Sequence, residues 1–210
     1  MQRKAKIRVG VREAGQTDRI TLLLSDYRDL RGRYGKLVSI EMIEAVGHRY
    51  FDTFFRRCSA LLADDGEMLL QAIVMPDHRY ARYLRSVDFI QRYVFPGGCL
   101  PSVGAVEASL GRGTDLRTSH QEEIGPHYAT TLRRWRERFL ERIGEVRRLG
   151  HPERFIRLWD YYLSYCEAGF AERSIGAVQM LLAKPGCRRE PILSGTSMAV
   201  SYTHLRAHET

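Results

Sequence analysis

The sequence predicts an α/β layered sheet, and two observations carry that prediction. Short apolar, partly β-branched runs recur along the chain: "RITLLL" (Arg19–Leu24), "KLVSI" (Lys36–Ile40) and "EMLLQAIVM" (Glu67–Met75). Segments with helical spacing of apolar residues lie between them, and strands alternating with helices read as a layered α/β domain. A length of 210 residues suits one domain or a large part of one. No internal repeat or second domain is visible.

Taken in order, Arg3–Glu13 reads as a helix that Gly15 ends, with Thr17-Asp18 making the turn. The Arg19–Leu24 and Lys36–Ile40 runs are the first two buried strands. A helix follows over Tyr50–Leu62, with Phe51, Phe54, Phe55 and Leu61 among its apolar positions. Asp64-Asp65-Gly66 reads as the turn that introduces the third strand, Glu67–Met75. Arg79–Tyr93 is expected as one helix stopped by Pro96-Gly97-Gly98, and Ser102 as the cap of a short one. Leu116–Glu123 is an outer strand, Ala129–Arg148 and Pro152–Ala171 are long helices, and Ile175–Pro185 is the last strand. The domain is thus expected over residues 1–187, with a tail over 188–210. Within that tail Val200–Thr210, including His204 and His208, resembles the translation of a sequencing adaptor and is assigned no function.

Composition narrows the function classes. An apolar share of 44% and a charged share of 28% are those of a soluble globular protein. No apolar run is long enough to span a bilayer and no apolar leader follows Met1, so a cytoplasmic protein is expected. Cys58, Cys99, Cys166 and Cys187 lack ligand spacing, which argues against a zinc site or a disulfide framework. The net charge of +8 invites an anionic partner. Yet only four of the 33 basic residues are lysine, a bias that GC-rich coding also produces.

Ligands of open α/β sheets bind beyond the carboxyl ends of the strands. After the first run comes "SDYRD", where Asp26 can accept from an adenine amino group and Tyr27 can cover the ring; Asp is also a common turn residue. After the second run Glu41 and Glu44 lie three apart in an apolar segment, and a carboxylate there must be paired or functional. A cap or salt bridge at a wet strand end is the plainer alternative. Gln71 sits inside the third run, where its amide needs partners. "GPHYATTLRRWRERF" (Gly125–Phe139) is a basic amphipathic helix, either laid on an anionic membrane or packed on the core with a solvated face. "WDYYLSYC" (Trp159–Cys166) is a core stripe unless one hydroxyl enters a cleft.

Six strings carry a resemblance: Asp26–Leu30, "VSIEMIEAVGH" (Val38–His48), "SVDFIQRYVFPGGCLPS" (Ser86–Ser102), Ile124–Phe139, Arg154–Cys166 and Gly169–Pro185. In order and spacing the chain from Ile7 to Pro185 closely resembles cyclopropane-fatty-acyl-phospholipid synthases and the related mycolic acid cyclopropane synthases and methyltransferases.

The resemblance implies a class I methyltransferase (Rossmann-like) fold. It also implies S-adenosylmethionine as cofactor, bicarbonate as base, and a cis double bond in a phospholipid acyl chain as substrate. Position by position, Glu44, the Ile73 backbone and Tyr162 match bicarbonate contacts, and Gln71 stands where other members carry a histidine. Asp26, Tyr27 and Ile40 fall on the cofactor side, while Tyr128 and Trp135 lie in the helix taken to line the acyl side. No metal is implied. The expected partner is the membrane phospholipid, met peripherally at the inner face of the membrane; a homodimer is allowed and nucleic acid is not expected. The family's first strands and Gly-rich cofactor loop do not appear upstream of Ile7. The chain is therefore expected to be an N-terminally truncated fragment with exposed strand edges, poorly soluble and inactive alone. The alternatives are an acyl-chain methyltransferase without ring closure, and a non-catalytic basic module that binds anionic lipid.

Overall fold

The computed structural model describes residues 11–190 and residue 192. The tail from Val200 and residues 3–10 of the first expected helix lie outside the described residues. Residues 11–13 are helical, and Gly15, at φ +62°, ends that turn.

Among the described residues four strands form one sheet: β1 (Tyr34–Ile40), β2 (Leu62–Val74), β3 (Arg117–Glu123) and β4 (Gly176–Ala183), in the order β1-β2-β4-β3. β1 runs parallel to β2, while β4 runs antiparallel to both β2 and β3. The central pair owes its place to composition. Met68, Leu70, Ala72 and Val74 alternate inward along β2, and Val178, Met180 and Leu182 do so along β4.

Two helical layers cover the sheet. On one face α1 (Phe51–Leu61) and α4 (Val103–Gly113) pack Phe54, Phe55, Val106 and Leu110 against Met68, Leu70 and Met180. On the other α5 (Gly125–Glu141) and α7 (Glu153–Ala171) bring Leu132, Leu163 and Phe170 onto Ala177 and Ile73. The small helices α2 (Asp77–Tyr83), α3 (Phe89–Tyr93) and α6 (Ile143–Arg148) fill the ends. Ser102 Oγ accepts from Ala105 N and so caps α4 as its position predicts. No helix among the described residues is long and apolar enough to cross a membrane.

Four expectations need correction. Arg19–Leu24 is turn and extended coil rather than a strand, and Leu24 is 79% exposed. A strand needs a neighbour for its ladder, and among the described residues none pairs with this segment. The expected helix over Arg79–Tyr93 is two helices, because Ser86 Oγ turns back onto the Tyr83 carbonyl and Asp88 with Gln91 forms a capping box that starts α3 afresh. The helix over Ala129–Arg148 begins earlier, at Gly125 with Pro126 in its first turn, and breaks at Arg142, whose backbone (φ −104°, ψ 19°) leaves the helical range. Asp64-Asp65-Gly66 lies within β2, where the register against β1 shifts between Tyr34 and Lys36. A Cβ on Gly66 would stand 3.0 Å from the Ala63 carbonyl and 3.1 Å from that of Tyr34, so the bulge requires glycine.

Candidate active site

Alternation along β2 puts Leu69, Gln71 and Ile73 on the face opposite the α1/α4 core, under α5 and α7. The chain leaving β1 crosses the end of that face. Glu41 N donates to the Gln71 carbonyl at 2.9 Å and extends the ladder by one residue, but Glu41 then turns at φ +49°. A left-handed conformation costs about 1 kcal/mol or more in a residue with a side chain, so a glutamate held there must be fixed by its surroundings. The turn leads into a single helical turn, Ile43–Ala45, that buries Ile43 and carries Glu44 inward.

The two carboxylates end in different environments. Glu44 Oε1 accepts from Ile73 N at 2.7 Å, whereas its Oε2 is buried without a hydrogen-bond partner. Burial pushes the Glu44 carboxyl above its ordinary range, against the pull of the Ile73 amide. Glu41 Oε1 accepts from the Tyr128 hydroxyl and, at 3.1 Å, from Gln71 Nε2. Gln71 Nε2 also donates to the Tyr128 hydroxyl at 2.7 Å, and Gln71 Oε1 accepts from Gln179 Nε2 at 2.7 Å. Gln71 and Gln179 face each other in the β2/β4 register, so this polar chain is fixed by the sheet itself. Burial, then the bond to Glu41, raises the Tyr128 hydroxyl pKa.

Glu41, Glu44 and Ile73 border a cleft of about 1500 Å3 beyond the strand ends. Tyr162 of α7 enters the same cleft, its hydroxyl pushed up to about 12 by burial. Its ring meets Phe95 edge-on at 6.2 Å and Trp159 at 4.9 Å. The wall is otherwise mostly apolar, including Met75, Val94 and Phe170.

The structure thus brings Glu44, Ile73 and Tyr162 to one cleft, and ties Gln71 and Tyr128 to it through Glu41. The other sequence-predicted residues lie elsewhere. Asp26, Tyr27 and Ile40 do not border the cleft. Tyr27 packs edge-on against Phe54 at 5.5 Å, and Asp26 is bound through both oxygens by Arg28, which holds its carboxyl down at about 2. Trp135 is 55% exposed on the outer side of α5 and does not reach the cleft. Sequence reasoning missed Gln179, although a glutamine inside an apolar strand is the signal that singled out Gln71.

Known proteins with this arrangement decide the family. The sequence profile of the mycolic acid cyclopropane synthetase family matches residues 1–180. The chain belongs to that family. Among curated relatives it is 43% identical over 185 residues to tuberculostearic acid methyltransferase UfaA1 of Mycobacterium tuberculosis, covering 88% of this chain and 43% of that protein. It is 35% identical over 165 residues to the cyclopropane-fatty-acyl-phospholipid synthase of Escherichia coli K12, covering 79% of this chain and 41% of that one. The chain therefore spans less than half the length of these two relatives. Among solved structures, cyclopropane synthase MmaA2 of M. tuberculosis superposes with a TM-score of 0.71 at 27% identity, over 83% of this chain and 65% of that one. Mycolic acid cyclopropane synthase CmaA1, complexed with SAH and CTAB, gives 0.69 at 29% identity, over 77% and 59%. The fold is that of class I S-adenosylmethionine-dependent methyltransferases.

Tested for the two small groups the resemblance implies, the residues divide. A small oxyanion has polar groups to meet in the cleft, since Glu44 Oε2 is buried without a hydrogen-bond partner and the Tyr162 hydroxyl, pushed up to about 12 by burial, borders the same cleft. The cofactor side fits poorly: Asp26 is spent on Arg28, and the described residues offer no Gly-rich loop of backbone donors.

Proposed function

We propose that this chain carries the acyl-side half of a lipid methyltransferase that uses S-adenosylmethionine and forms a cyclopropane across a cis double bond of a phospholipid acyl chain. The observation that supports it most is the buried Glu44, its carboxyl pKa raised by burial, in a mostly apolar cleft that Tyr162 also borders. S-adenosylmethionine, when bound, would supply an electrophilic methyl group to the alkene, its S–CH3 bond breaking to leave S-adenosylhomocysteine. The acyl chain then carries positive charge, which water would quench and which the faces of Phe95 and Tyr162 can stabilise. A proton must leave the added carbon before the ring bond forms. Bicarbonate is the proposed acceptor; burial disfavours the charged form of Glu44 and so lessens its repulsion of the anion, and the Tyr162 hydroxyl can donate to it. The protein is read as cytoplasmic, meeting the membrane peripherally.

A second reading, methylation without ring closure, is favoured by Gln71. Both of its amide hydrogens go to Glu41 and Tyr128, so it offers the anion neither charge nor a free donor. The two readings share the first carbon–carbon bond and differ in the fate of the cation.

One experiment tests the function. This chain replaces the matching 185 residues of the M. tuberculosis methyltransferase, and the chimera is given labelled S-adenosylmethionine and unsaturated phospholipid. Acyl chains gaining one labelled methylene, with loss of the product in Glu44→Gln, are expected. A folded chimera that binds S-adenosylmethionine and leaves the acyl chains unchanged would sink the proposal. The chain by itself is expected to be inactive and poorly soluble, because Val38 and Ile40 of β1 are exposed; micromolar binding of S-adenosylmethionine to it would contradict this.

A further inference from the structure

The mouth of the cleft carries an exposed surface that, apart from Phe95, takes no part in the proposed reaction. Resting on the lipid-substrate reading, we infer that the α2–α3 rim is a bilayer-docking surface for anionic phospholipid, through which an acyl chain passes directly into the cleft. Val87 (73% exposed), Tyr93, Phe95 (54% exposed) and Tyr161 all present apolar surface to solvent. Aromatic contacts join Tyr93 and Tyr161, and Val87 and Phe95 flank the same short helix in sequence. Phe89 packs edge-on against Tyr161 at 4.7 Å and lies 5.5 Å from Tyr165 and 5.7 Å from Tyr93, while Phe95 meets Tyr162 inside the cleft. Contiguous apolar exposure of this kind marks an interaction site.

Charge says which partner fits. Arg79 and Arg82 border the cleft, and Arg85 and Arg92 flank it, with Arg92 5.6 Å over the Tyr93 ring. Among the described residues none of these four arginines is paired with an acid. Of the nearby carboxylates, Asp88 accepts from Gln91 N at 2.8 Å and Asp77 from Gly104 N at 2.9 Å, while Glu172 also borders the cleft without forming an ion pair with these arginines. Arginines interleaved with exposed aromatic rings match a bilayer interface, where rings sit at headgroup depth and guanidinium groups bind phosphate. An acidic protein would use the arginines but gives no reason for the aromatic collar. The rim is also built to stay in shape: Gln91 Nε2 donates to the Gly98 carbonyl at 2.9 Å, and the Tyr83 hydroxyl accepts from Leu100 N at 3.0 Å.

The test is co-flotation of the chimera carrying this chain with vesicles of phosphatidylglycerol or of phosphatidylcholine, without S-adenosylmethionine. Three folded double variants are compared with it: Arg82→Glu/Arg92→Glu, Tyr93→Ser/Phe95→Ser, and Arg134→Glu/Arg138→Glu on α5 as a charge-matched control. The proposal expects binding to phosphatidylglycerol vesicles that falls at least tenfold in both rim variants and less than twofold in the control. Equal loss in the control would reduce the effect to net charge and overturn it. So would unchanged binding in the rim variants, or rim-dependent capture of an acidic acyl carrier protein without vesicle binding. Its failure is separable from that of the enzyme reading. A chimera that modifies detergent-dispersed lipid yet ignores vesicles sinks the rim alone, and one that binds vesicles without product sinks the enzyme reading alone.

Discussion

The two halves of the sheet use similar residues to opposite ends. In β2 and β4 the apolar side chains are covered by helices on both faces, and Leu70, Met180 and Leu182 are completely buried. In β1, Ser39 is the one buried residue, and Val38 is 61% exposed. Leu23 and Leu24, from a run just as apolar, also face solvent. Hydrophobicity sets what a segment would bury, but only a neighbouring strand and a covering layer let it do so.

The largest expected effect probes that difference directly. Phe54→Ala removes a ring from the closed core between α1 and the sheet and should cost about 3–5 kcal/mol, read from the urea midpoint. Val38→Ala, on the open edge, should cost less than about 0.5 kcal/mol. Comparable losses would mean that the outer side of β1 is covered in solution.

The next effect separates close packing from open surface within the helices. Glu123 Oε1 accepts from Gly125 N at 2.8 Å and Ala177 N at 3.0 Å, locking the start of α5 onto β4. A Cβ on Gly125 would collide with that same oxygen, so Gly125→Ala should cost about 1–3 kcal/mol through the two broken bonds. Gly144→Ala, where a Cβ meets nothing, should instead stabilise by up to about 1 kcal/mol. Paired thermal denaturation curves check both signs.

A smaller, pH-dependent effect ties the far end of β4 to α1. Lys184 Nζ donates to both Asp115 oxygens at 2.8 and 2.9 Å and to Ser59 Oγ at 3.0 Å. The bond to Lys184 lowers the Asp115 pKa. A lowered carboxyl pKa stabilises the fold above the unfolded value of about 3.9, and that contribution is lost as pH falls through the folded value. Asp115 is half exposed, so the pair is worth less than about 1 kcal/mol. Asp115→Asn should lower stability by that amount at neutral pH and above, flatten the acid limb, and converge with the parent at strongly acid pH.

What was legible in the sequence follows the same division. β2 and β4 announce themselves because burial on both faces demands unbroken apolar runs, and Ser102 caps α4 through a side chain that names its own role. Arg19–Leu24 misleads because a strand is defined by its partner, which a one-dimensional pattern does not contain. Glu44, Ile73 and Tyr162 were identified by resemblance, whereas nothing in the string shows that Gln71 faces Gln179 or that Glu41 adopts a left-handed backbone. Register and φ are properties of the folded sheet. Trp135 shows the limit of periodicity, since it lies three residues after the buried Leu132, at helical spacing, and yet remains exposed.

The last effect is small and of opposite sign, and it lies where the open and closed halves meet. Glu44 leaves the end of the exposed β1 and is carried into the covered cleft, so its charge is desolvated without an ion-pair partner. A carboxyl whose folded pKa is raised stabilises the fold below the unfolded value of about 4.3, and that stabilisation disappears as pH rises through the folded value. Ionising Glu44 in the folded state is therefore a cost, felt in full at neutral pH. Glu44→Gln keeps an acceptor for Ile73 N and removes the charge, so the variant should be more stable than the parent at pH 7 and indistinguishable from it near pH 4. Denaturation midpoints at the two pH values test this. A variant less stable at both would show that Glu44 is held by a partner the cleft has not revealed. A variant more stable at pH 7, combined with loss of product in the chimera, would identify Glu44 as a residue kept for chemistry at the expense of the fold.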